Sequence, residues 1–223
     1  MSFSNILPLG FWPEAAGALY FCILAIALWQ VPWRIVYREP GLQHLFLGMT
    51  VLVSFLWQLR AGITPWVDIQ LLLATVMTLM FYWPMALIGT SLALLGTALT
   101  GKTPWDMWFV NALLTCVVPV LVSHLVWRFV DRRLPDNFFV YVFVAAFGGS
   151  ALAALCSGLL LMLTLTLFSQ GIQWGHFSSE YFLFLPLTLP PEAVINGMIV
   201  SGLAVYMPQW MRSFDTQRYF DHQ

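Results

Sequence analysis

The apolar residues of this chain fall in seven long runs, near 13–33, 42–61, 66–82, 84–100, 105–127, 138–168 and 181–207, with short connections between them. A helix crossing a bilayer needs about 20 apolar residues to span a hydrocarbon core roughly 30 Å thick. Within lipid only helices and closed barrels satisfy their own backbone polar groups. The runs therefore predict an all-α transmembrane bundle of about seven spans, forming one integral membrane domain over residues 1–223. With 9% of its residues charged, against about 25% in a soluble domain, the chain is a polytopic membrane protein. A net charge of −1 without a basic run argues against nucleic-acid binding or a polybasic lipid-surface role.

The nine basic residues are distributed unevenly. Arg34, Arg38, Arg128, Arg132, Arg133, Arg212 and Arg218 fall in connections on one side, and Arg60 and Lys102 on the other. By the positive-inside rule the N-terminus is then outside and the C-terminus cytoplasmic, in the cell (inner) membrane. All 11 tryptophans sit near span ends, as in an interfacial belt. No basic residue precedes Arg34, so the first run lacks the positive flank of a cleavable signal and reads as a retained helix. Cys22, Cys116 and Cys156 fall inside spans and read as small packing residues.

Tyr82-Trp83-Pro84 divides the run from 66 to 100 into two spans, because proline disfavours helical geometry in the residue before it. Gly148-Gly149 predicts a kink or a close helix contact in the sixth span. Pro190-Pro191 predicts a break in the seventh, with 181–189 interfacial or re-entrant and the spanning helix starting after the prolines.

Gly96 to Thr103, G-T-A-L-T-G-K-T, fits the phosphate-binding expression G-x-x-x-x-G-K-[ST]. The pattern lies at the end of an apolar run with Pro104 after it, so the expected structure is a helix C-terminus capped by Gly101. Polar residues within spans are costly and mark candidate sites. Glu192 and Asn196, i and i+4 after the proline pair, share a helical face. They form either a polar cavity wall or a dipole-stabilised carboxylate with an interhelical amide. Asp68 and Gln70 open the third span, and Asn111, with Thr115 one turn on, lies in the fifth, where an interhelical clasp is the alternative. His44 and His124 read as hydrogen-bonded interfacial imidazoles, His176 and His222 as solvated. No HxxxH, HExxH, CxxC or G-x-S-x-G pattern occurs, so neither a self-contained metal site nor an enzyme is predicted.

The stretch from Thr64 to Gly101, the segment Asn111-Ala112-Leu113, and P-E-A-V-I-N-G-M-I-V followed by Pro208-Gln209-Trp210 together resemble the CbiM/NikM proteins, over roughly residues 42–212. These are the membrane substrate-capture components of energy-coupling factor transporters for cobalt and nickel. The resemblance implies a membrane permease subunit that passes a transition-metal cation or related small solute inward, without a cofactor of its own. It also implies a transmembrane coupling protein and an ATPase pair as partners. In that family the metal is held by the free N-terminal amine, a histidine at the second residue and a histidine near the start of the third span. Ser2 and Gln70 stand here instead, and hydroxyl and amide oxygens are poorer ligands than imidazole for borderline metals.

The expected binding set is Asp68, Gln70, Asn111, Glu192 and Asn196, converging on an outer cavity. On this reading Glu192→Gln and Asp68→Asn reduce capture without loss of folded protein, and Lys102→Ala and His222→Ala change nothing. The small residues Ala18, Cys22 and Ala25 on the first span form either a partner surface or a packing face against Gly148–Ala154. The alternative function is a non-transporting interaction or assembly subunit that has kept the fold.

Overall fold

The computed structural model describes residues 2–64, 67–168 and 174–215, without the side chains of 63, 64 and 174–185. Trp66, Arg218, Asp221 and His222, and the side chain of His176, lie outside the described residues. Five stretches have the length and apolar composition of membrane-crossing helices. They are α1 (Trp12–Gln30), α4 (Ala74–Leu99), α5 (Trp105–Arg133), α6 (Phe138–Phe168) and Pro186–Tyr206 of α7 (Trp174–Tyr206). Between α1 and α4 lie the short α2 (Trp33–Arg38) and the shorter apolar helix α3 (Pro40–Leu56). The chain is thus a predominantly helical, multi-pass membrane bundle.

It is not purely helical. A three-stranded antiparallel sheet in the order β1-β3-β2 joins β1 (Ser2–Phe3), β2 (Ala61–Thr64) and β3 (Val67–Ile69). Ser2 pairs with Asp68, and Gly62 with the same residue from the other side. The helical spans predicted at 42–61 and 66–82 are shortened accordingly. These strands are too short for a period of two to register against the apolar background.

The Tyr82 boundary is a true break. Tyr82 adopts φ 62° and ψ 163° inside α4, a region costly for a residue with a side chain. Met77 and Gly89 would lie about 18 Å apart along an unbroken helix, yet the Met77 methyl is 2.5 Å from where a Cβ on Gly89 would stand. The two arms therefore fold back on each other. The first arm, residues 74–81, is buried at every position and is too short to be stable alone. Other segments satisfy the polar groups at both its ends. At its C-terminal end the Leu79 and Met80 carbonyls accept from the Ser213 and Arg212 N–H groups, each at 3.2 Å. The Tyr82 hydroxyl donates to the Arg212 carbonyl at 2.6 Å. Within the arm, the Thr75 and Ser123 hydroxyls share a hydrogen bond of 2.7 Å, and Thr78 bonds back to the Ala74 carbonyl.

α5 and α6 each contain a π-helical segment, Leu113–Val117 and Tyr141–Gly148. The first precedes Pro119, which has no N–H to offer an upstream carbonyl. The second ends at the predicted glycine pair, where Gly149 comes against Val126 of α5. In α7, by contrast, the predicted break is absent: the helix continues through Pro186, Pro190 and Pro191. Membrane helices tolerate proline because surrounding helices re-satisfy the freed backbone groups. α6 and α7 approach closely at Gly197, where a Cβ would run into the Phe147 ring. Gly197→Ala is expected to cost about 1–3 kcal/mol through overpacking, read as a lowered thermal midpoint in detergent, while Gly202→Ala, with open space around it, leaves the midpoint unchanged.

Trp57 departs from the expected belt. It is fully buried, and its indole N–H donates to the Leu72 carbonyl at 3.3 Å, tying the end of α3 to the turn that precedes α4.

Candidate functional site

Two constellations lie around the N-terminal strand and the start of α4. In the first, Glu192 and Asn196 of α7 cap α4 from outside it. Leu73, the residue before α4, is left-handed (φ 52°) and supplies no side-chain cap, so the first N–H groups of the arm need acceptors from elsewhere. The two Glu192 carboxylate oxygens accept from the N–H groups of Leu72 and Leu73, each at 2.9 Å. The Asn196 carbonyl accepts from Val76 at 3.2 Å, and the Asn196 amide donates to Glu192 Oε1 at 2.8 Å. A carboxylate here also meets the positive end of the helix dipole. The i, i+4 pair does share a face, and what that face meets is another helix's backbone.

The second constellation is centred on Arg60, whose side chain is 4% exposed. Its guanidinium donates to the Trp57 carbonyl at 2.8 Å, the Ser2 hydroxyl at 3.2 Å, the Lys102 carbonyl at 3.2 Å and the Thr103 hydroxyl at 3.0 Å. Asp68 stands 4.0 Å away. Burial pulls the guanidinium below its ordinary pKa, and the Asp68 charge opposes that; an arginine stays charged in either case. Asn111 grips the same strand from α5. Its Oδ1 accepts from the Phe3 N–H at 2.7 Å, and its amide donates to the Phe3 carbonyl at 3.0 Å. The alternative to a site role, an interhelical clasp, takes the form of a clasp on β1.

Between these constellations lies a cavity of about 690 Å³, walled by the 59–62 and 69–72 segments, Ala154 of α6 and the 187–192 part of α7. Gln70 and Glu192 both line it, and so does Arg60. Asp68, Asn111 and Asn196 do not, so the five residues do not converge on one cavity. Gln70 is 5% exposed, and both polar atoms of its carboxamide are buried without a hydrogen-bonding partner. Among the described residues no group of three or more His, Cys, Asp and Glu could hold a metal ion. Sequence reasoning used Arg60 only for topology. The signal for more was a lone arginine just past a span end, with Trp57 three residues before it and Asp68 eight after.

The P-loop-like segment is a helix C-cap. Gly101 has φ 74°, Gly101 N–H donates to the Ala98 carbonyl at 3.0 Å, and Lys102 N–H donates to that of Thr97 at 3.0 Å, the bonding of a glycine-terminated helix. Lys102 is exposed. Lys102→Ala is therefore expected to change stability by less than about 0.5 kcal/mol, checked by thermal unfolding. His124 lies beside the Trp83 and Trp127 rings, with its Nδ1 buried and unbonded.

No curated protein and no solved structure matches the chain. A family model does, that of the cobalt uptake substrate-specific transmembrane region, over residues 6–210. With nearly the whole chain inside that match, the protein belongs to the CbiM family of cobalt uptake transmembrane components.

Proposed function

We propose that this protein is the substrate-capture subunit of an energy-coupling factor type uptake system in the inner membrane, crossing it seven times with the N-terminus outside. The observation that carries the reading is the cavity at the Ser2–Arg60–Lys102 end of a chain of this family. The pattern of basic residues agrees with the orientation. Arg60 and Lys102 meet at that end, and at the other Arg212 pairs with Glu39 at 2.8 Å and lies beside Tyr82.

Energy would come from partners, since the P-loop-like segment is spent as a helix cap. A partner surface is available on α1. Ala16, Gly17, Tyr20 and Ala27 of that helix are buried within the chain, whereas Ala18, Cys22 and Ala25 are exposed. Their packing against Gly148–Ala154 is thereby ruled out, and small residues permit close helix approach in lipid.

The assembly-subunit reading has one observation of its own: Asp68, Asn111, Glu192 and Asn196 are all engaged in contacts within the chain. Against it stands the cavity itself, which Gln70, Glu192 and Arg60 line. Affinity purification through a tag on this chain separates the two. An ATPase and a membrane coupling protein are expected to co-purify, and the double substitution Ala18→Leu, Cys22→Leu to release them with the thermal midpoint unchanged. Co-purification of a complex without any ATPase would put the assembly reading first.

A further inference from the structure

A second cavity, of about 420 Å³, opens at the Tyr82 end of the bundle, between the close of α1, the break in α4 and the last turns of α5. We propose that it seats the phosphodiester headgroup of an acidic phospholipid. The site is independent of which solute the protein captures.

The wall is charged, and the charge has a sign. His124, Arg128 and Arg132 line it from α5 at i, i+4 and i+8, hence from one face of that helix. Arg128 and Arg132 are exposed, and neither guanidinium has a hydrogen bond or an ion pair among the described residues. Asp131 lines the same cavity but has an interaction of its own within the chain. Two positive groups thus face the cavity against one negative. That wall repels a cation, and a neutral solute leaves two guanidinium forks without acceptors. A phosphate satisfies them, because the fork matches two of its oxygens at once. Gln30 adds an exposed, unbonded carboxamide to the same wall. The His124 ring lies 6.4 Å from that of Trp83 and 5.6 Å from that of Trp127, and both indoles line the cavity. Its floor is therefore packed before a ligand enters, which lowers the ordering cost of binding.

The depth of the cavity names the source of the phosphate. Trp29 and Trp33, on either side of Gln30 in sequence, are 85% and 41% exposed, and with Trp83 and Trp127 they place this end at the headgroup level, where tryptophan collects. Phospholipid phosphates stand at that depth continuously, and basic pockets between membrane helices bind acidic headgroups. An excess of one positive charge suits a phosphodiester that carries no cation, as in phosphatidylglycerol.

The test titrates dihexanoyl phospholipids onto the purified full chain in detergent and counts bound molecules by native mass spectrometry. Phosphatidylglycerol is expected to add as a single tightly held molecule, with phosphatidylcholine and phosphatidylethanolamine at least about tenfold weaker. The double substitution Arg128→Gln, Arg132→Gln is expected to weaken phosphatidylglycerol at least about tenfold, and either single substitution to give part of that loss. Arg133→Gln, which removes an exposed arginine outside the lining, is expected to retain wild-type affinity. Thermal midpoints without lipid are expected to stay at the wild-type value, since the two guanidinium groups of the wall have no partner in the chain to lose. Zwitterionic lipids that bind as tightly as phosphatidylglycerol, or a double variant that binds like the wild type, overturn the proposal. An equal loss with Arg133→Gln also overturns it, by showing attraction to diffuse charge and not to a site. Inorganic phosphate that displaces phosphatidylglycerol at equal concentration makes the source a free phosphate and overturns the lipid assignment.

Discussion

Glu192→Leu is expected to remove most of the folded protein. The substitution leaves the Leu72 and Leu73 N–H groups and one Asn196 N–H without their acceptor, in a site where Glu192 is 4% exposed. Each orphaned buried donor costs about 1–3 kcal/mol, so three cost about 3–9 kcal/mol, a large part of the 5–15 kcal/mol typical of a whole domain. Glu192→Gln keeps one acceptor oxygen and places an amide N–H₂ against a backbone donor, at about half that cost. The structure thus replaces the expectation that Glu192→Gln spares folding. Thermal unfolding in detergent, followed by tryptophan fluorescence, reads both variants. A Glu192→Leu midpoint equal to the wild type would mean that α4 does not depend on this cap.

Arg60→Met is the second large effect. One guanidinium joins the end of α3, the N-terminal strand and the turn after α4. Its loss strands the Trp57 and Lys102 carbonyls and leaves Asp68 without a counter-charge, for about 2–4 kcal/mol. Lysine should rescue little, since a single ammonium cannot reach four acceptors spread over a planar fork. A local readout separates loosening of the strand from global unfolding. Ser2 is fully buried, so a Ser2→Cys probe is expected to react slowly with maleimide in the Arg60 background and at least about tenfold faster with Arg60→Met, in line with local opening. Equal rates in both backgrounds would show that Arg60 does not hold β1.

What the sequence made legible were features whose cause is local. Apolar length marked the membrane helices, Tyr82-Trp83-Pro84 marked the break in α4, and Gly101 marked its end. The spacing of Glu192 and Asn196 gave their common face. What it could not give were long-range partners, above all backbone ones. Leu72 and Leu73 lie 120 and 119 residues from Glu192, and Phe3 lies 108 from Asn111; a main-chain group has no residue type by which a sequence could announce it. For the same reason the five polar residues looked like one binding set when four are occupied in holding segments together. Pro190-Pro191 misled differently, because the rule against proline in helix interiors weakens where neighbouring helices surround the freed carbonyls.

The grip of Asn111 on Phe3 uses only the peptide N–H and carbonyl of that residue, and β1 meets β3 through its backbone as well. Neither interaction inspects a side chain. Phe3 is thus seated through geometry common to every amino acid except proline, whereas its neighbour Ser2 is held through its side chain, by the Arg60 guanidinium.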